Sequence, residues 1–194
     1  MKLKVICVAY ERPIQLTSLI GCFIVQTNPN WELYIIYDGP VPDSIIKAKG
    51  VHQDKRVFFT NSPTRNEKWG HPNRRDALDS LPGEDCDYVL ITNDDNYYVP
   101  TFVEQMLRNS NDGIGMAYCD TIHSYQYHNL VQSFPVECGI DMGAFIVRYN
   151  IAKGTRFKYD HFSADGAYCE ECRKVCSAQG YNIIQVPRPL FVHN

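Results

Sequence analysis

The chain lacks any apolar run close to the roughly 18 residues needed to cross a bilayer. Its N-terminus, Met-Lys-Leu-Lys-Val-Ile-Cys-Val, has neither the length nor the small-residue cleavage site of an export signal. These absences lead to the expectation of a cytoplasmic protein with no membrane span. A dominant charge is also missing. Against 19 Lys and Arg stand 22 Asp and Glu, a net −3, and no basic cluster exceeds two adjacent residues, so no nucleic-acid partner is expected. There is no linker, repeat or low-complexity stretch, and 194 residues suffice for one full core. A single domain over residues 1–194 is expected, with a ligand-binding half at 1–110 and a second half at 111–194.

A disulfide frame is absent although cysteine is not scarce. The eight cysteines lie mostly inside apolar runs, and without an export signal they read as reduced, buried thiols. Cys169-Glu-Glu-Cys172-Arg-Lys-Val-Cys176 has neither a second CxxC nor a His at finger spacing. Positions i, i+3 and i+7 share one helix face, so these cysteines are expected to face a core rather than a metal.

What is present is alternation. Strands are expected at 3–9, 31–37, 56–60 and 87–92. Helices are expected from Pro13 to about residue 26, at 43–49, from Asn73 to about Leu81, and at 100–109. The order β-α-β-α-β-α-β-α implies a mostly parallel α/β sheet with ligands at the C-terminal strand ends. Beyond it the pattern is less regular. A strand is expected at 113–119, an antiparallel hairpin across 121–134, a strand at 141–148, a helix at 162–179 stopped by Gly180, and a last strand at 182–186.

Acids stand at the strand ends. Val89, Leu90 and Ile91 belong to an uncharged run that ends in Asn93-Asp94-Asp95-Asn96. Two adjacent carboxylates repel and cost desolvation energy unless a cation answers them, and hard cations such as Mg²⁺ or Mn²⁺ favour such oxygens. A solvated Asp-Asn turn that caps the next helix is the plain alternative. Asp38, before Gly39, can accept hydrogen bonds from a base or ribose, or can be an ordinary Asp-Gly turn. Arg74 and Arg75, near a helix start, suit a diphosphate by charge-assisted bonds but equally suit a helix surface.

Several stretches taken together are more specific. Val5-Ile-Cys-Val-Ala9-Tyr10-Glu11-Arg12-Pro13, then Gln26-Thr27, then Trp31 to Asp38-Gly39, followed by Gly70 with Arg74-Arg75-Asp76-Ala77 and by Thr92-Asn93-Asp94-Asp95-Asn96-Tyr-Tyr-Val-Pro100, resemble the family 2 glycosyltransferases. That family has the GT-A fold, and the last stretch is close to the form seen in its spore-coat polysaccharide nucleotide-sugar transferases. The resemblance covers residues 3–110. Glu11, Tyr37 and Asn93 depart from the usual Asn, Asp and acid.

The resemblance implies an inverting, metal-dependent glycosyltransferase (EC 2.4, hexosyltransferase type) that moves a sugar from a nucleotide-diphosphate sugar, a UDP-sugar, to the hydroxyl of a saccharide or glycan acceptor. Ala9, Tyr10, Arg12 and Asp38 would line the base pocket. Arg74 or Arg75 would contact base or phosphate. Asp94 would serve the ribose or the metal's water shell, and Asp95 would ligate Mn²⁺ or Mg²⁺ at the DxD-like site. His193 resembles the late His that adds a metal ligand in some GT-A enzymes. Asp165, at a helix start, would be the general base, with Asp141 and Asp160 as rivals. Residues 139–145 would floor the acceptor pocket, and Trp69 would stack on a base or sugar or serve structure alone. Two other readings compete. One is a non-catalytic nucleotide-sugar-binding module. The other is a sugar-nucleotide nucleotidyltransferase, which would need a glycine-rich loop where Tyr10-Glu-Arg-Pro has none.

Overall fold

The computed structural model describes residues 1–194 apart from His52, Asn109, Asn111 and the Lys49 side chain. The elements run β1 (Leu3–Ala9), α1 (Pro13–Ile24), β2 (Trp31–Tyr37), α2 (Asp43–Gly50), β3 (Val57–Asn61), α3 (His71–Ser80), β4 (Tyr88–Asn93), β5 (Tyr97–Tyr98) and α4 (Phe102–Arg108). Then come β6 (Ile114–His123), β7 (Asn129–Val131), β8 (Phe145–Arg148), α5 (Tyr149–Thr155), α6 (Ala164–Ala178) and β9 (Asn182–His193). The expected end of α4 at residue 109 lies outside the described residues.

One mixed sheet organises these elements in the order β3-β2-β1-β4-β8-β6-β9-β5, with β7 against β6. β1 pairs parallel with β2 and β4, and β2 pairs parallel with β3. β8 then enters antiparallel to both β4 and β6, so the parallel half ends there. All seven residues of β1 are buried, as a central strand covered on both faces requires. Period 2 divides them: Leu3, Val5, Cys7 and Ala9 join α1 and α4 in one core, and Ile6 joins α3, α5 and α6 in the other.

Pro13 opens α1, where its missing N–H costs nothing. At its far end buried Gln26 ties two helices together. Its Nε2 donates to Cys22 O at 2.9 Å and Val99 O at 2.8 Å, and its Oε1 accepts from Val103 N at 2.9 Å. The Gln26-Thr27 pair therefore has a structural cause: it satisfies backbone groups that two helix ends leave open.

Several elements differ from expectation, among them the short β5, which was not expected. β9 runs on from 186 to His193 through Pro187 and Pro189. Val186 faces Cys119 while Pro189 faces Asp120, so two extra residues bulge out where proline has no N–H to give. Residues 142–144 form a short 3₁₀ turn capped by Asp141, and the strand there begins only at Phe145. α5 was not expected. Ile151, Ala152 and Thr155 bury against the second core, and Lys153 Nζ donates to the last carbonyls of α3, Leu78 O at 3.0 Å and Asp79 O at 2.6 Å. In α6, Cys169, Cys172 and Cys176 are fully buried, on the core face that their spacing describes. Among the described residues, no helix is long and apolar enough to cross a membrane.

Candidate active site

Register brings the strand-end acids together. Ala9 lies opposite Tyr37 and Val8 opposite Asn93, so Asp38 and Asp94 follow the two strands that flank β1, at one rim. β1 is where the chain order turns back, with β2 and β3 on one side and β4 on the other. That reversal opens a crevice at the carboxyl ends. A cleft of about 1450 Å³ lies there, lined by Ala9, Tyr10, Arg12, Asp38, Arg74, Asp94, Asp95, Asp165 and His193, among others.

Asp94 and Asp95 are nearly buried, at 2% and 8% exposure. Tyr10 N donates to Asp94 Oδ2 at 3.0 Å, which fixes the β1 turn against the acid pair. Burial pushes the Asp94 carboxyl up to about 7, against the pull of the Tyr10 N–H and of Arg12. Asp95 is raised for the same reason, with Arg12 again opposing. Arg12 Nη1 stands 3.3 Å from Asp94 Oδ1 and also contacts Asp95 Oδ2. Arg12 is therefore placed on the acid pair rather than in the wall of a base pocket.

Asp38 is committed to protein groups. It accepts from Asn66 N at 2.7 Å, Glu67 N at 3.1 Å and Asn73 Nδ2 at 2.8 Å. These bonds fold the 62–67 loop onto the start of α3. Glu67, Lys68, Trp69 and Gly70 all have positive φ. Gly70 suits this best, since its φ is +78° and a Cβ would lie 2.6 Å from Val8 Cγ1. Beside the loop, the Tyr10 ring stacks on Tyr37 with centroids 6.0 Å apart, and the Arg65 guanidinium lies 3.9 Å over Tyr10. This flat aromatic wall has the shape a nucleobase uses. Trp69 is exposed at the rim, at 62%.

The two arginines of α3 part company. Arg74 is buried and lines the cleft. Its Nη1 donates to Trp69 O at 2.6 Å and lies 2.7 Å from His71 Nδ1, and its Nη2 donates to Asn93 Oδ1. Arg75 is not in the cleft lining. It donates to Phe157 O at 2.8 Å and to Asp160 Oδ1 at 2.7 Å on the other side of the helix. Successive residues on an α-helix point about 100° apart, so only one of the pair can face the crevice. His71 is buried, and desolvation with the adjacent Arg74 holds it down at about 4, hence neutral.

Across the cleft, Asp165 lies in the first turn of α6. Its carboxyl is surrounded by protein with one edge open to the cleft. Burial raises it to about 6, while Arg74 and the Met142 N–H pull the other way. Of its rivals, Asp160 is spent on Arg75 and on Lys68 at 3.3 Å, and these cations outweigh burial and hold it low. Asp141 lines the cleft but caps the 142–144 turn, and its Oδ2 lies 2.6 Å from His193 Nδ1. Burial opposes charge on His193, yet Asp141 wins and its pKa is raised. His193 is held at the end of the twelve-residue β9, with its ring centroid 4.5 Å from that of His123.

The donor set suits a hard cation. Asp95 Oδ1 is buried with no hydrogen-bond partner, which leaves an acceptor open in the acid pair. Among the described residues no three His, Cys, Asp or Glu side chains converge on one point. A Mg²⁺ or Mn²⁺ here would be held by Asp95, with Asp94 beside it, and would take its other ligands from phosphate oxygens and water. Sequence reasoning missed Arg65, Asn66, Asn73 and the Asp141–His193 pair. None carries a motif of its own, and only the closed loop brings them to the site.

The fold is that of the GT-A glycosyltransferases: a mixed α/β sheet with a parallel half and antiparallel strands beyond it. No protein-family model matches the chain. TarS of S. aureus (residues 1–349) superposes with a TM-score of 0.78 at 12% identity, over 100% of this chain and 60% of that one. The mannosyltransferase PcManGT of Pyrobaculum calidifontis, solved with GDP-Man and Mn²⁺, gives 0.70 at 14% identity, over 99% of this chain and 56% of that one. TarS has also been solved with UDP and with UDP-GlcNAc, at TM-scores of 0.75 and 0.73. In sequence, the chain is 28% identical to Protein CgeD of Bacillus subtilis (strain 168) over 109 residues, 55% of this chain and 26% of that protein. The chain thus spans less than two thirds of the relatives it matches.

Proposed function

We propose that this domain is an inverting glycosyltransferase that uses a nucleotide-diphosphate sugar, with family 2 character. One observation carries the reading: a buried acid pair at the β1/β4 crevice faces, across one cleft, a carboxyl raised to about 6 at the start of α6. In this reading the acid pair holds the cation that would carry the diphosphate, and the carboxyl on α6 takes a proton.

The base would lie against Tyr10 beside Asp38, and the diphosphate would run toward Asp94 and Asp95. UDP is the expected nucleotide, in keeping with the UDP and UDP-GlcNAc complexes of TarS. A divalent cation bound at Asp95 would supply Lewis-acid stabilisation of the departing diphosphate. Asp165 accepts the proton of the acceptor hydroxyl as that oxygen attacks the anomeric carbon from the face opposite the diphosphate, and inversion follows. A base near 6 is ionised at neutral pH yet still basic enough to share a proton in the transition state. Buried Arg74 favours the ionised form and holds Asn93 beside the acid pair. His193, oriented by Asp141, lines the same cleft but does not converge with the two acids on one point among the described residues, so it is assigned no place in the cation's shell.

The test is a screen of UDP- and GDP-sugars with Mn²⁺, read as nucleoside-diphosphate release with and without saccharide acceptors. Release that needs an acceptor supports transfer. Nucleotide-sugar binding without any release would favour the non-catalytic module, and absence of binding would overturn both.

A further inference from the structure

Two buried carboxylates side by side need a positive charge. Here one residue supplies it. Arg12 Nη1 reaches both Asp94 Oδ1, at 3.3 Å, and Asp95 Oδ2, and no other cationic side chain pairs with either acid among the described residues. Arg12 sits at the cap position of α1 immediately before Pro13, and its side chain makes no cap bond there. Its acids are buried while its own side chain is 48% exposed. The cation is therefore the solvent-facing partner of the pair. It also fills its seat incompletely, because Asp95 Oδ1 stays buried without a partner.

We infer that Arg12 is the resident counter-cation of the acid pair, and that a divalent cation gains its place there only by displacing Arg12 onto the diphosphate. The inference rests on the nucleotide-sugar reading of this cleft. Metal alone must expel a guanidinium and leave it unpartnered. Metal together with a nucleoside diphosphate gives Arg12 a new anion in the same cleft, a pairing that guanidinium geometry favours. Arg12 thereby makes cation and nucleotide binding cooperative. By linkage the coupling is reciprocal, so UDP tightens Mn²⁺ by the same factor that Mn²⁺ tightens UDP.

The experiment is calorimetric titration at pH 8 of wild type, Arg12→Gln and Arg12→Lys with Mn²⁺ alone, with UDP alone and with both. Without nucleotide, Arg12→Gln is expected to bind Mn²⁺ about tenfold more tightly than wild type, the low end for removing a competing charge that water partly screens. Arg12→Lys, a point charge that bridges two acids less well, is expected to fall between. With UDP present the advantage of Arg12→Gln shrinks or reverses. Equal or weaker Mn²⁺ binding by Arg12→Gln overturns the inference. Wild type that binds neither UDP nor Mn²⁺ with UDP counts instead against the proposed function, so the two failures are distinct. Should Arg12→Gln not fold, arginine side-chain NMR of the wild type decides. The Arg12 signal should move when UDP and Mg²⁺ are added together, and an unmoved signal overturns the inference.

Discussion

Replacing Asp165 with Asn should abolish transfer and stabilise the fold. The carboxyl is raised from 3.8 to about 6, chiefly by burial. At about 1.4 kcal/mol per pH unit, that corresponds to at most about 3 kcal/mol by which ionisation of Asp165 disfavours the folded state. One edge of the carboxyl faces the cleft, and water screens part of the effect, so about 1–3 kcal/mol is expected. The favourable pull of Arg74 is already contained in the net rise. Asn mimics the neutral acid and keeps an oxygen for the Met142 N–H. The sign follows from linkage: between the unfolded and folded values the folded state holds the proton more firmly, so wild-type stability falls as pH rises from about 4 to about 6 and is level above. At pH 8 Asp165→Asn should therefore melt several degrees higher, at about 2–4 °C per kcal/mol for a chain of this size. At pH 5 the gap should shrink to about half. Thermal melts at both pH values check this, beside UDP calorimetry and UDP-release kinetics. UDP binding should persist while transfer falls by about 10²–10⁴, the usual share of a general base. A variant no more stable at pH 8, or one that still transfers, would refute this account of Asp165.

The wild type should lose kcat/KM below about pH 6, tenfold per pH unit, as Asp165 takes up its proton; a flat acid limb would place the base elsewhere. Asp95→Asn should remove the Mn²⁺-dependent part of UDP binding in calorimetry, and a metal-dependent affinity that survives would exclude Asp95 as the ligand. Gly70→Ala should destabilise by about 2 kcal/mol or more in urea melts, since its φ of +78° disfavours a side chain and the new Cβ would lie 2.6 Å from Val8 Cγ1. Arg75→Ala should leave UDP affinity within about twofold and lower stability by about 1–2 kcal/mol, as expected for a partly exposed ion pair with Asp160 and the lost bond to Phe157 O; a large loss of UDP affinity would show that the guanidinium turns into the cleft.

The N-terminal half was legible because its signals are local. Seven apolar-leaning residues in β1, Pro13 at a helix start and the apolar run of β2 are each signals of local sequence. The strand-end acids were legible too, since parallel strands carry their carboxyl ends to a common rim. What failed to show depends on contacts between distant residues. β9 continues past two prolines because β6 and β5 hold it from either side and a bulge absorbs the missing donors. α5 has a glycine and a threonine in seven residues, and packing rather than propensity makes it helical. Arg74 and Arg75 read alike in sequence, and only the rotation of α3 separates a buried cation from a surface one. The partner of Arg12 was likewise out of reach, because the acids it meets lie more than eighty positions away.

The departure at Asn93 has a physical reading in this arrangement. Among the described residues Arg74 is a buried cation with no carboxylate in direct contact; Trp69 O, the His71 ring and Asn93 Oδ1 receive its N–H groups. Its charge is therefore felt by Asp165, Asp141 and Asp94 together, each of which favours the protonated guanidinium against desolvation. An acid at 93 would neutralise Arg74 locally and add a third negative group beside Asp94 and Asp95. The neutral amide satisfies the same hydrogen bond without claiming the charge. It leaves Arg74 free to hold Asp165 low enough to ionise at neutral pH, and it leaves the acid pair to be answered by Arg12. Asn93 thus separates two electrostatic tasks, leaving Arg74 to favour ionisation of Asp165 and leaving Asp94 and Asp95 to Arg12. A carboxylate at that position would merge them.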